Sequence, residues 1–105
     1  MNLLAPADCR DMSEVRANID RLDDEIIALL ARRVRYVERA AALKPAAGLA
    51  ARLEDRVSEV LARVEAGARG QGLPVDLAVP LWREIVEWSI AHETRLMADG
   101  GPHKA

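Results

Sequence analysis

The chain contains no phenylalanine, and its two tryptophans and one tyrosine bring aromatic residues to only 3%. A core built from it must be aliphatic. There is one cysteine, Cys9, so no disulfide can form within the chain. Positive charge is not in excess: 15 Lys and Arg stand against 17 Asp and Glu, a formal net charge of -2. That balance argues against the basic surface that grips nucleic acid. No apolar run approaches the roughly 20 residues of a membrane span. The opening MNLLAPADCRD lacks the charged start and the apolar stretch of a secretion signal. Alternating strand patterns and internal repeats are missing too. These absences predict a soluble, cytoplasmic, all-α protein with neither nucleic acid nor membrane as partner.

What the sequence does have is helical periodicity. At 105 residues, 50% of them hydrophobic, the chain is one domain. It is expected to divide into an N-terminal extension (1–10), a helical domain (11–98) and a flexible tail (99–105). Asp11 and Glu14 have capping-box spacing. After them Val15, Ile19, Leu22, Ile26, Leu29, Leu30, Val34, Val37 and Ala41 recur at intervals of three and four, one face of a helix. Pro45 disfavours the helical conformation at Lys44, so the helix is expected over 12–44, roughly 48 Å long. So long a face cannot be buried against itself and needs partners along its length. PAAGLAA (45–51) reads as a flexible connection. A second helix is expected over about 52–66, with Leu53, Val57, Val60, Leu61 and Val64 inward. GARGQGLP (67–74) reads as a loop. A third helix is expected over about 77–98, with Asp76 as candidate N-cap and Pro80 obscuring its start.

Some polar residues fall where apolar ones are due. Arg33 lies on the edge of the first helix's apolar face, and Lys44, close to three full turns on, projects the same way. Ala40 and Ala41 leave room between them. Two readings stand side by side: cations snorkelling at a helix rim, or a pair of cations facing an anionic ligand. On the third helix Trp82, Val86, Ser89 and Glu93 share one row, which points Glu93 inward at a cost of several kcal/mol unless it is protonated or paired. A surface Glu on a slightly misdrawn wheel is the simpler alternative.

Other features carry less. Arg32, Arg35 and Arg39 read as a solvated basic face. GARGQG does not fit the phosphate-binding glycine pattern. His92 has no second His or Cys at ligand spacing, so no metal site is expected. Cys9 lacks any sign of activation.

The line VRANIDRLDDEIIALLARRVRYVERAAALK resembles the first helix of the all-α chorismate mutases, through Arg16, Ile19-Asp20, Leu22-Asp23, Leu29-Leu30, Arg33 and Lys44. LWREIVEWSIAHE resembles that family's third helix. ADCRDMSEVR, RRVRYV and Trp88 are most similar to its isochorismate-pyruvate lyase branch. The resemblance covers about residues 8–98. It implies a three-helix chain forming an intertwined helical-bundle homodimer with two sites, each built from both chains, and no cofactor. It implies that Arg16 enters the neighbouring subunit's site, that Arg33 binds a substrate carboxylate, and that Lys44 contacts the ether oxygen and a carboxylate. Arg56 would lie near the substrate, and Ser89 and Glu93 match third-helix site positions. The two-chain site has independent support. Arg16 and Arg33 are about 25 Å and 100° apart on one helix, so they cannot converge on one small ligand within one chain.

The implied substrate is a dicarboxylate, chorismate or isochorismate, and the implied chemistry is pericyclic. Such an enzyme holds the compact conformer and stabilises charge growing on the ether oxygen, without covalent catalysis. Arg16 and Arg33 would clamp carboxylates, Lys44 would donate to the ether oxygen, and residues 45–51 would serve as a lid. Glu93 would donate there only as the neutral acid, since a carboxylate would repel the oxygen. Departures from the family blur the substrate. Val57 and Leu53 stand where many mutases carry Glu and Asp, Ser89 is mutase-like, and Glu93 replaces the usual Gln. The first expectation is a chorismate mutase. Isochorismate-pyruvate lyase, 4-amino-4-deoxychorismate mutase and a non-catalytic dimerisation module are the alternatives. The pathway served, toward aromatic amino acids or toward salicylate, is open at this point.

Overall fold

The computed structural model describes residues 3–99. A short 3-10 helix (Pro6–Asp8) precedes three α-helices: α1 (Met12–Leu43), α2 (Glu54–Gln71) and α3 (Val75–Asp99). Among the described residues there is no strand. Among the described residues, too, no helix is long and apolar enough to cross a membrane. The chain forms two compact units, one up to Arg35 and one from Tyr36 onward. The tail expected over 99–105 lies, apart from Asp99, outside the described residues.

In the first unit the cap read from Asp11 and Glu14 is formed. The Glu14 amide donates to Asp11 Oδ1 at 2.9 Å. The Glu14 carboxylate turns back to accept the Arg10 amide at 2.7 Å and its guanidinium at 2.9 Å. These hydrogen bonds, the side-chain one first, hold the Glu14 carboxyl below its ordinary range. Asn18 ties the preceding segment down, its Oδ1 accepting the Leu4 amide at 2.8 Å. Beyond the cap the apolar stripe has little to lie against: Ile19, Leu22, Ile26 and Leu29 are between 43% and 59% exposed.

The second unit holds the small core. Ala41 from the end of α1, Ala68 from α2, and Ala78 and Val86 from α3 are its buried apolar members. The α2 and α3 helices pack as a hairpin, joined by residues 72–74, and a connection this short makes neighbours antiparallel. The connection after α1 is a hydrogen-bonded turn. The Lys44 carbonyl accepts the Ala47 and Leu49 amides, the Pro45 carbonyl accepts Gly48, and Gly48 takes a left-handed φ of 72°.

The sequence reading is off by one residue at the ends of α1 and α3 and by more at both ends of α2 and the start of α3. The stretch GARGQ, expected as loop, completes α2, which runs over Glu54–Gln71 rather than 52–66. Glycine within a helix costs only about 1 kcal/mol, and Ala68 between Gly67 and Gly70 is buried. The stop comes at Gly72, where φ is 71°. There the Leu73 amide reaches the Ala68 carbonyl at 2.8 Å and the Gly72 amide reaches Arg69 at 3.3 Å, the paired bonds of a Schellman end. The α3 helix starts at Val75 rather than 77, with Asp76 inside its first turn rather than capping it. The Pro74 carbonyl accepts Leu77 and Ala78 there, and Pro80 is accommodated within the helix.

Candidate active site

Glu93 does point inward. It is 6% exposed, on the same face of α3 as Ser89 at 5% and Val86 at 6%. Its charge partner is Lys44, placed by the residue that ends α1: Nζ lies 2.7 Å from Glu93 Oε1, with both side chains largely closed to solvent. Oε1 is paired by charge but has no aligned hydrogen bond, so it keeps directional capacity for a further group. Lys44 Nζ also donates to the Ala51 carbonyl at 2.8 Å. An ammonium has three N–H donors; the Ala51 carbonyl takes one, and the contact with Glu93 holds the lysine by charge alone. Ser89 sits one turn before Glu93, its hydroxyl donating to the Ile85 carbonyl at 2.7 Å. Together these groups make a small polar floor in an aliphatic core.

Beside the floor lies a second cluster that the sequence reading did not assemble. His92 Nε2 is 2.8 Å from Glu38 Oε2, its ring stacks on Trp88 with centroids 4.7 Å apart, and the Arg95 guanidinium approaches Nδ1 at 3.2 Å. Further along, Arg52 pairs with Glu87 of α3 and with Glu54 at 3.6 Å. The Glu87 carboxylate raises the Arg52 guanidinium above its ordinary range.

The remaining expected site residues are spread out. Arg56 is exposed near the start of α2 and pairs with Glu59. The concavity there is lined by Leu53, Glu54, Asp55, Arg56 and Glu59. With three carboxylates to one guanidinium, it would repel a dianion. Arg16 is exposed and Arg33 half-buried on α1, in the first unit. Lys44, Ser89 and Glu93 are therefore the expected residues that one compact unit brings together. No group of three or more His, Cys, Asp or Glu among the described residues is arranged to hold a metal ion.

The family description chorismate mutase type II matches residues 15–94, all of the elements that build this floor. The chain belongs to the chorismate mutase type II family. An isochorismate pyruvate lyase of Pseudomonas aeruginosa is similar at 32% identity, over 86% of this chain and 88% of the lyase. A bifunctional chorismate mutase/prephenate dehydratase of Aquifex aeolicus is 28% identical over 82% of this chain but only 25% of its own length. This type II chorismate mutase family member thus resembles, across most of its length, one protein named as a lyase and one named as a bifunctional mutase and dehydratase.

Proposed function

We propose that this protein is a chorismate mutase that converts chorismate to prephenate by a pericyclic rearrangement, with no cofactor and no covalent intermediate. The observation that carries the reading is the buried Lys44–Glu93 pair, because the family resemblance assigns both positions to the ether oxygen. A lysine held by the Ala51 carbonyl and by the charge of Glu93 keeps its ammonium in place, so little reorganisation accompanies the growth of charge on the oxygen. Arg33 and, from a second chain, Arg16 clamp the carboxylates, where guanidinium gives a bidentate fit. Ser89 completes the substrate-binding set, Arg56 is left out of it because it pairs with Glu59 among three carboxylates, and the turn over 45–51 closes the site from water.

The site is incomplete in one chain, and we propose a homodimer. The exposed stripe of Ile19, Leu22, Ile26 and Leu29 supports a second α1 lying along the first. Glu25 and Arg32 stand two turns apart, so they flank that stripe on one side. An antiparallel partner centred between Ala28 and Leu29 sets Glu25 against Arg32 of the partner subunit, and the reverse. The same register sets Arg16 against Ala41 of the partner subunit, one turn from the end of α1 where Lys44 stands.

A second reading has its own support. The lyase relative matches nearly the whole of both chains, and Val57 follows Arg56 where many mutases carry Glu. In that reading the same clamp takes isochorismate to salicylate and pyruvate. The test is to incubate the protein separately with chorismate and isochorismate and identify the products. Prephenate from chorismate is expected. Salicylate with pyruvate, and no prephenate, would replace the first reading by the second. No turnover of either substrate would leave a non-catalytic helical module.

A further inference from the structure

The Glu38–His92 contact lies next to the proposed chemistry without belonging to it. His92 and Glu93 are neighbours on α3, and they reach the end of α1 by separate contacts: His92 to Glu38 at 2.8 Å, Glu93 to Lys44 at 2.7 Å. The α3 helix packs most extensively along α2, so these long polar side chains are prominent links from α3 to the end of α1. A single contact between two helices is a pivot. A second contact six residues away on the other chain segment, about 9 Å along an α-helix, removes rotation about that pivot. We propose that His92, held by Glu38, is a positioning residue that fixes the Glu93 carboxylate on Lys44.

The imidazole is well constrained for this task. Trp88 sets its plane, stacking at 23° between ring planes. Arg95 sets its tautomer: a guanidinium only donates, so Nδ1 at 3.2 Å from it carries the lone pair. Nε2 then carries the proton and donates to Glu38 Oε2. The ring is 19% exposed at its side chain, so this bond forms partly sheltered from water. Loss of the bond lets α3 turn relative to the end of α1. It does not remove a carboxylate clamp, so the effect falls on the transition state more than on substrate binding.

The inference rests on the reading that Lys44 and Glu93 face the substrate, and two readouts separate its failure from that of the reading. The first is steady-state kinetics of His92→Ala, His92→Gln and Glu38→Gln with the substrate the wild type turns over. His92→Ala is expected to lose about tenfold or more in kcat with KM little changed, as a small misplacement of reacting groups does. His92→Gln, whose amide can still donate to Glu38, is expected to recover most of that loss. The second readout needs no activity: the NMR signals of the Lys44 ammonium and the Glu93 carboxylate. They should move in His92→Ala and return in His92→Gln. Wild-type kcat and unmoved signals in His92→Ala would overturn the proposal. If His92→Ala does not fold, Glu38→Gln carries the test by the same two criteria. A wild type that turns over neither substrate would defeat the functional reading alone, and the NMR comparison would still decide the role of His92.

Discussion

Lys44 Nζ stands 2.7 Å from Glu93 Oε1, across two elements, in a contact that leaves 15% and 9% of the two side chains exposed. Breaking such a pair from one side strands the other charge, and this usually costs more than the pair itself contributes. Lys44→Met, which keeps the bulk and removes the charge, should therefore destabilise the fold by about 3 kcal/mol. Adding Glu93→Leu should recover much of that loss. Urea unfolding of the three proteins measures it, and a double variant weaker than Lys44→Met would show that the pair is not the unit.

Glu93 and Gln differ in one respect that matters for catalysis. An amide donates a hydrogen bond at any pH, and a carboxyl donates only as the neutral acid. Paired with Lys44 as a carboxylate, Glu93 offers the ether oxygen no donor, and Glu93→Gln supplies one. Glu93→Gln should therefore raise activity, and Glu93→Ala should lower it, as steady-state kinetics at one pH will show. Equal turnover in wild type and Glu93→Gln would remove residue 93 from the ether oxygen.

The α1 cap gives a pH effect on stability. Arg10 holds the folded Glu14 carboxyl below its ordinary value, so the folded state favours the charged form. The stabilisation is fully present above the unfolded carboxyl's pKa and is lost as pH falls through the lower, folded one. Glu14→Gln should therefore show a weaker loss of stability in that acid window than the wild type, with the difference absent at pH 7 to 8 apart from a constant offset. Acid unfolding followed by circular dichroism checks this.

The expected dimer is testable through charge. Glu25→Lys sets two cations against each other in the antiparallel register and should weaken association, and Glu25→Lys with Arg32→Glu should restore it. Sedimentation equilibrium reads both. A wild type that stays a folded monomer at micromolar concentration would contradict the arrangement. If each site draws on both chains, mixing inactive Arg16→Ala and Lys44→Ala proteins should recover activity in those hybrid sites that hold an intact set, once subunit exchange is verified.

How much of this was legible varies by residue. The first helix announces itself, since Asp11 and Glu14 give its start and the three-four rhythm from Val15 to Ala41 gives its face. The end of α2 was hidden because Gly67 and Gly70 look like loop glycines, whereas the glycine that stops the helix is Gly72, the one with a left-handed φ. Glu93 was visible as a polar residue in an apolar row. The family resemblance sets Lys44 beside it at one oxygen, whereas periodicity alone does not, because it gives the direction of a side chain and not the element it meets. The same limit hid Glu38 from His92, which lie 54 residues apart. The Ala51 carbonyl that holds Lys44 has no side-chain signal at all, since every residue carries a carbonyl.

The most direct test of the account is the turnover of chorismate by the wild type and by Lys44→Ala, measured side by side with the far-ultraviolet circular dichroism of each. The expected result is prephenate from the wild type, and a loss of about 10²–10³ in rate in the variant at unchanged helix content, the scale of removing one charge-stabilising donor. Equal rates in the two proteins, both folded, would contradict it, because the lysine that pairs with Glu93 would then have no part in the reaction.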